Sequence, residues 1–160
     1  MIKLREYNVK DWSQIEDAIE PFIPPVPAED FLEMTKRGVA VTGIENDKIM
    51  ACGGISYMDD ENGIAWAKVS KKCLRNSSAW AAVILETFTM MSDSVNLKVS
   101  TYVLDNFCRG ERLAKLIGLQ KTDESKEHNG NLYHKFTSYK KRKPQNYKEC
   151  PQSIKNCVHK

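Results

Sequence analysis

The sequence lacks the features of a membrane or secreted protein. No apolar run reaches the length that spans a bilayer, and the N-terminal MIKLREYNVKDW lacks the apolar stretch of a signal peptide. Its five cysteines are odd in number and scattered, so they predict no disulfide framework. These absences predict a protein of the cytoplasm. With 160 residues, 41% hydrophobic and 28% charged, the chain suits one domain of ordinary composition.

Metal-ligand patterns are also sparse. Cys150, Cys157 and His159 could be imagined as ligands, but they lack a second pair and the CxxC spacing of structural zinc sites. We therefore expect no metal ion.

The net charge of +3 is unevenly distributed. Residues 140–160 contain seven Lys or Arg and one Glu, a net charge of +6, which leaves −3 on the rest of the chain. A basic tail on a mildly acidic body is typical of an appendage attracted to nucleic acid or another polyanion. A disordered, solubilising tail is the alternative. We expect a folded domain over residues 1–138 and a flexible tail over residues 139–160.

Hydrophobic periodicity predicts the element order β α α β β β α β α β β. The predicted strands are 1–7, 39–44, 49–57, 64–70, 97–104, 119–123 and 131–137, and the predicted helices are about 8–22, 27–37, 77–91 and 105–117. A Gly-Gly pair at 53–54 inside a strand indicates a bulge or a close backbone approach. We expect an α/β (α+β) fold with a mixed central sheet of six or seven strands and about four helices. Strands 64–70 and 97–104 would be parallel, joined by a right-handed crossover.

Residues 64–91 organise this prediction. They contain a buried strand, IAWAKVS, a basic polar connection, KKCLRNSS, and an apolar helix. The N–H groups of a helix's first turn lack intrahelical partners, and its dipole is positive there, so an anion is favoured. Arg75, Lys71 and Lys72 add positive charge beside those donors. We interpret the connection as a site for a phosphorylated cofactor; an ordinary strand-to-helix connection is the alternative.

The pattern resembles the GNAT superfamily of acyl-CoA-dependent N-acetyltransferases over about residues 1–138. The resemblance depends on the element order, the Gly-Gly pair, and the segments GIAWAKVS, LRNSSA and DNFCRGERLAKLIGL. The family's phosphate loop, Gln/Arg-x-x-Gly-x-Gly/Ala, falls on Leu74, Ser77 and Ala79, so only Ala79 matches. Asn106 and the IGL at 117–119 resemble the family's Asn and its Leu-Gly-Phe helix end. The strand is also similar to small GNAT-like proteins of tailed bacteriophages, which implies a bacterial or phage-infected host cell.

The resemblance implies acetyl-CoA as the cofactor. The residues whose backbone N–H groups would hold its pyrophosphate are Arg75, Asn76, Ser77, Ser78 and Ala79. The pantetheine arm would pair with the strand edge at Lys68, Val69 and Ser70, where two parallel strands diverge. A backbone N–H of Val69 or Ser70 would stabilise the developing oxyanion. Asn106 would help to hold the arm.

The family's usual acid and base are missing. A glycine occupies the position of the usual Glu, with Glu61 two residues earlier, and Ala114 occupies the position of the usual Tyr. The catalytic candidates are Glu61 acting through water, Ser70 and Cys108. Each has a structural alternative: a solvated turn residue, a strand end and a small buried residue. For acyl-enzyme chemistry, Cys108 would need a base such as His134 within reach.

Two functions follow from the resemblance. The first is an N-acetyltransferase that passes acetyl from acetyl-CoA to a primary amine, on a protein or small molecule, by direct attack in a ternary complex. The alternative is a catalytically weak or inactive GNAT-fold binding module, phage-encoded, that acts on a host protein or nucleic acid. The missing acid and base, the imperfect loop and the basic tail favour the alternative. We expect no membrane partner.

Overall fold

The chain folds around one mixed sheet flanked by helices. The computed structural model describes residues 1–22 and 25–138. Its strands are β1 (Ile2–Glu6), β2 (Ala18–Phe22), β3 (Gly38–Glu45), β4 (Lys48–Tyr57), β5 (Asn62–Ser70), β6 (Lys98–Leu104), β7 (Leu119–His128) and β8 (Asn131–Ser138). Its helices are α1 (Ala28–Met34), α2 (Ser77–Val95) and α3 (Cys108–Leu116), with 3₁₀ segments at Val9–Gln14 and Lys71–Asn76. From α1 onwards the element order is that of the predicted α/β fold, whereas a 3₁₀ segment and β2 stand where the first helix was predicted.

The strands lie in the order β1-β3-β4-β5-β6-β8-β7, and β2 pairs with β5 outside this path. Neighbours are antiparallel except β5 and β6, which are parallel and joined by α2, as predicted. These two strands pair only at their starts, residues 62–64 with residues 98–100. Beyond that point they diverge, so a notch opens towards their carboxyl ends, where ligands bind in such sheets.

Each face of the sheet has its own core. α2 and α3 cover one face, where Ile55, Phe88, Val99 and Phe136 are buried. α1 and the first 3₁₀ segment cover the other face, around a cluster of the aromatic side chains Tyr7, Trp12, Phe31 and Trp66. No helix in the described part of the chain is long and apolar enough to cross a membrane. The two cores therefore lie on opposite faces of the sheet.

The helix predicted over residues 8–22 is wrong. Asn8 does cap a helical segment, with Asp11 completing the capping box, but this segment is 3₁₀ and ends at Gln14. The chain then extends into β2. Pro21 removes a backbone donor and disfavours helix at the residue before it, so the apolar spacing from Trp12 to Ile19 does not continue as a helix.

Two other boundaries differ from the prediction. The polar connection 71–78 is not a loop but a 3₁₀ segment that leads directly into α2. β7 continues through residues 124–128, which were expected to form a turn, and a two-residue turn at Asn129 and Gly130 joins it to β8. β7 is exposed along most of its length, so its polar composition resembles that of a loop. The hairpin β3–β4, α1 with its buried Phe31 and Met34, β6 and β8 are confirmed.

The Gly-Gly pair marks a close approach. A Cβ on Gly54 would collide with the carbonyl oxygen of Val39 and with Ala40 on β3. The register irregularity of this hairpin lies elsewhere, between Gly43 and Ile44. The predicted close approach is therefore present at Gly54, and the bulge is not at this pair.

Candidate functional site

A cleft of about 250 Å³ lies between α2 and α3, above the carboxyl end of β5. We call it the α2–α3 cleft; its lining residues include Ala67 and Val69 of β5, Leu74 and Ser77 at the start of α2, and Phe107, Arg109, Arg112 and Leu113 at α3. Most of these side chains are apolar, and the two arginines lie three residues apart, on one side of α3. The cleft therefore combines an apolar floor with a cationic wall.

The start of α2 forms the opposite wall. Asn76 precedes the helix with φ −136° and makes no side-chain capping bond to it. Residues 75–78 are exposed, and Ala79 is half-buried. In a helix start of this kind the first N–H groups and the positive end of the dipole face outward, which favours phosphate. Arg75, Ser77 and Ser78 thus lie at an exposed helix start. Their predicted role in holding phosphate stays a prediction.

Arg109 and Arg112 were not among the residues predicted for the site. A signal was present, because the two arginines are spaced i, i+3 directly after the Asn106 turn and so share one helical face. What could not be read locally was that this face of α3 is turned towards α2. The cleft shows that they lie opposite Ser77.

Neither apolar side chain that could have filled this space does so. Leu74 lies at the cleft and remains 43% exposed. Trp80 is 2% exposed and packs over Gly43, where any Cβ would collide with its ring, and its Nε1 is 3.5 Å from a carboxylate oxygen of Glu45. The Trp80 side chain therefore packs against β3 and does not fill the cleft.

The edge of β5 beside the cleft is paired with β2. Ala18 lies opposite Ser70, Ile19 opposite Val69, and Phe22 opposite Ala67. This is the edge that the sequence analysis left free for a pantetheine arm. The expectation of a free edge is wrong because it placed a helix over residues 18–22, where the structure has a strand. Ile19 also lines the α2–α3 cleft.

Lys68 directs its side chain away from the cleft. Its Nζ donates a hydrogen bond of 2.8 Å to the carbonyl oxygen of Trp12 and lies 4.8 Å from the centre of that ring. Desolvation in this position lowers the pKa of Lys68. Only the backbone of Lys68 is therefore placed to contact a ligand at the notch.

Ser70 joins β5, β2 and the second 3₁₀ segment. It is 2% exposed, its hydroxyl donates to a carboxylate oxygen of Asp17 at 2.8 Å, and it accepts the N–H of Lys72 at 3.1 Å. The hydroxyl therefore already has a donor and an acceptor. Cys73 anchors the same segment, with its thiol 3.6 Å from the carbonyl oxygen of Met50, and burial raises its pKa to about 12.

The structure separates Glu61 from Ser70. Glu61 is exposed in the turn before β5, whereas Ser70 ends that strand. Nine residue steps of extended chain place them about 30 Å apart. One reacting centre at the notch cannot contact both side chains.

Cys108 and Asn106 lie at the turn into α3. Cys108 is free and exposed, so the alternative of a small buried residue is wrong. Asn106 has a left-handed backbone, φ 64°, and its amide donates to Asp105 at 3.3 Å. His134 also contacts Asp105, at 2.8 Å. The structure therefore pairs His134 with Asp105, and within residues 1–22 and 25–138 no base is hydrogen-bonded to Cys108.

The basic tail lies outside the described residues, as do Cys150, Cys157 and His159. Their predicted roles, and the proposed boundary after residue 138, stay predictions.

Comparison with known proteins identifies the fold. No protein-family model matches the sequence, and no curated protein matches it. Solved structures do match. A GNAT family acetyltransferase from Elizabethkingia anophelis with acetyl-CoA bound has a TM-score of 0.63 at 13% identity, covering 86% of this chain and 97% of that one.

Two further solved structures have similar scores. The ribosomal-protein-S18-alanine N-acetyltransferase from Escherichia coli has a TM-score of 0.61 at 12% identity, covering 91% of this chain and 98% of its own. A Bacillus subtilis acetyltransferase in complex with CoA has a TM-score of 0.59 at 12% identity, covering 86% and 98%. At these identities the likeness concerns the backbone. The chain has the fold of the GNAT acetyltransferases.

Proposed function

We propose that this protein binds acetyl-CoA in the α2–α3 cleft and transfers the acetyl group to a primary amine. The observation that supports this is the cleft itself: an open, apolar-floored space with an uncapped helix N-terminus on one wall and Arg109 and Arg112 on the other. It lies where β5 and β6 diverge. A solved protein of the same fold has acetyl-CoA bound.

The phosphates of the cofactor suit the start of α2. Backbone N–H groups of Ser77, Ser78 and Ala79, in the first turn of α2, would receive the pyrophosphate, and Arg75 and Asn76 would adjoin it from the end of the second 3₁₀ segment. Arg109 and Arg112 would add charge-assisted hydrogen bonds from α3. Asn106, in the turn that precedes α3, would support the pantetheine arm. The pyrophosphate and the pantetheine arm of the cofactor would thus bind at opposite ends of the α2–α3 cleft.

Acetyl transfer would rely mainly on positioning. The backbone of Val69 or Ser70 would donate to the oxyanion that forms as the amine attacks the thioester. Cys108, exposed beside the cleft, is our candidate for proton exchange with the leaving thiolate. Ser70 would contribute only through its backbone at the end of β5, because its hydroxyl is bonded to Asp17 and to the N–H of Lys72. Glu61 is too distant to join them. A site without a dedicated base depends on an acceptor that is already a free amine, so we expect slow transfer that rises with pH.

The experiment is calorimetry with acetyl-CoA on the full chain. Replacing Arg109 and Arg112 together by Ala should weaken binding at least about tenfold, the size of one lost charge-assisted hydrogen bond. Lys115→Ala, on the same helix but away from the cleft, is the matched control and should bind as the parent does. Release of CoA thiol in the presence of peptide and polyamine acceptors then measures transfer. Unchanged affinity in the double variant would contradict the assignment of the cleft.

A second candidate is a GNAT-fold binding module without acetyl transfer. The pairing of β2 with β5 favours it, because this strand takes the edge that a thioester-bearing arm would use. The partner would be a host protein or a nucleic acid reached through residues 140–160, and a phage or bacterial cytoplasm would be its setting. A gel-shift assay with DNA and RNA, at low and moderate salt, tests the nucleic-acid version. Replacing residues 140–143 by Gln should weaken the shift and flatten its salt dependence, because four of the seven basic residues of the tail are removed.

A further inference from the structure

β2 pairs irregularly with β5 beside the α2–α3 cleft. Its register with β5 contains three residue pairs and shifts between Ile19 and Phe22. Pro21, inside the strand, has no N–H to donate. By contrast, β4 pairs with the opposite edge of β5 at every position from residue 51 to residue 57. The edge of β5 at the notch is therefore covered by an irregular strand.

The first end of β2 is anchored to the end of β5. The backbone N–H of Lys71 donates to the carbonyl oxygen of Asp17 at 3.0 Å, and Ser70 donates to the Asp17 carboxylate at 2.8 Å. Beyond this anchor, its described contacts are the irregular ladder with β5, Ala18 against the cluster of aromatic side chains, and Ile19, which is half-buried at the cleft. An outward movement of the later residues of β2 would leave the anchor at Asp17 in place.

We propose that β2 is a reversible block of the cofactor site, competing with the amide-bearing arm of acetyl-CoA for the same edge of β5. This inference rests on the proposed function, since it needs acetyl-CoA to enter the cleft. The two occupants exclude each other, because one row of backbone N–H and C=O groups on β5 cannot pair with both. The phosphate end of the site stays open in either state.

The competition has a measurable consequence. Only molecules with β2 released accept the arm, so the apparent dissociation constant is the intrinsic one divided by the released fraction. Any change that weakens β2 without touching the phosphate end must tighten binding, although it removes contacts from the protein. A merely structural role for β2 predicts the reverse.

The variant is Ile19→Gly, which weakens the strand and removes the side chain from the cleft. We expect acetyl-CoA to bind about fivefold tighter than to the parent, given strand propensities that span about a factor of five in equilibrium. Ile2→Gly is the matched control: the same substitution in β1, on the far side of the sheet from the notch. It should leave the affinity unchanged.

Hydrogen exchange on the unmodified full chain provides a second measurement that needs no variant. At saturating acetyl-CoA, amides of residues 18–22 should lose protection, while those of residues 67–70 keep theirs because the arm replaces β2. Binding with β2 still protected, and equal affinity in Ile19→Gly, would overturn this inference alone. No binding by the parent or by Ile19→Gly at millimolar acetyl-CoA would overturn the proposed function, and this inference with it. Binding by Ile19→Gly alone would support both.

Discussion

The two edges of β5 are built differently. Along one edge β4 pairs with it continuously, from Ala51 opposite Val69 to Tyr57 opposite Gly63. Along the other edge, β6 pairs with residues 62–64 and β2 with residues near the carboxyl end. The continuous edge belongs to the buried interior of the sheet, and the divided edge faces the α2–α3 cleft. One strand thus joins the rigid part of the molecule to its proposed site.

The difference shows where stability and binding are separated in this fold. Ladder hydrogen bonds and close strand contacts hold β5 from the β4 side, so the opposite edge can be shared without loosening the sheet. Substitutions on the continuous side should therefore unfold the protein, whereas substitutions on the divided side should mainly alter access to the cleft. The following predictions test that distinction.

The largest effect is expected on the continuous side, at Gly54. An alanine Cβ there meets the carbonyl oxygen of Val39 and the side chain of Ala40, and both belong to β3. Backbone cannot move aside cheaply, so Gly54→Ala should lower the free energy of unfolding by about 3 kcal/mol. Urea denaturation measures this. Ser125→Ala on the exposed β7 is the control, expected to change stability by less than about 0.5 kcal/mol.

An intermediate effect is expected at Asp11, which braces the segment leading into β2. Burial alone would raise its pKa, but the guanidinium of Arg5, at 2.8 Å from each carboxylate oxygen, together with Asn8 N–H and the Thr42 hydroxyl, holds the pKa below its ordinary value. Asp11→Asn should cost about 2 kcal/mol, discounted from a fully buried pair because Arg5 is part-exposed.

The same group gives a pH dependence of defined sign. The folded pKa of Asp11 lies below its unfolded value of about 3.9, so its contribution is fully present above that pH and is lost as the pH falls through the folded pKa. Stability measured between neutral pH and pH 2 should fall less steeply in Asp11→Asn. An identical acid slope in both proteins would refute the role of this pair.

The smallest effect is expected at the anchor of the divided edge. Ser70→Ala removes the hydroxyl that holds Asp17 and caps the second 3₁₀ segment, a loss of about 1 kcal/mol. Because the anchor weakens, amides of β2 should exchange faster while those of β4 do not change. Equal acceleration in both strands would show that the two edges of β5 are coupled.

Local patterns were enough for most of the elements. α1, α2, the β3–β4 hairpin and the parallel crossover follow from apolar spacing and from turn residues such as Asn46 and Asp47, both of which adopt positive φ. The polar, basic connection at the start of α2 was also visible, since it depends on strand, polar connection and helix in succession. The specific site was less accessible. Arg109 and Arg112 could not be assigned to the site from the sequence, because only the tertiary structure shows that they line the same cleft as the start of α2.

Residues 18–22 show why the remainder could not be predicted. Their apolar spacing with Trp12 and Ile15 is compatible with a helix, and no local signal assigns them a partner. Their conformation follows from an open edge on β5, a strand some fifty residues later in the chain. Nonlocal backbone pairing of this kind leaves little trace in hydrophobic periodicity.

The sequence by itself determined the order of strands and helices from α1 to β8 and the chemical character of the connection before α2, because both depend on side chains close together in the chain. Tertiary structure decided which strand covers the free edge of β5, which arginines meet the helix start, and that Trp80 packs on Gly43 instead of in the cleft. The physical reason is that these choices depend on backbone hydrogen bonds and packing between distant segments. Local patterns in the chain do not specify them.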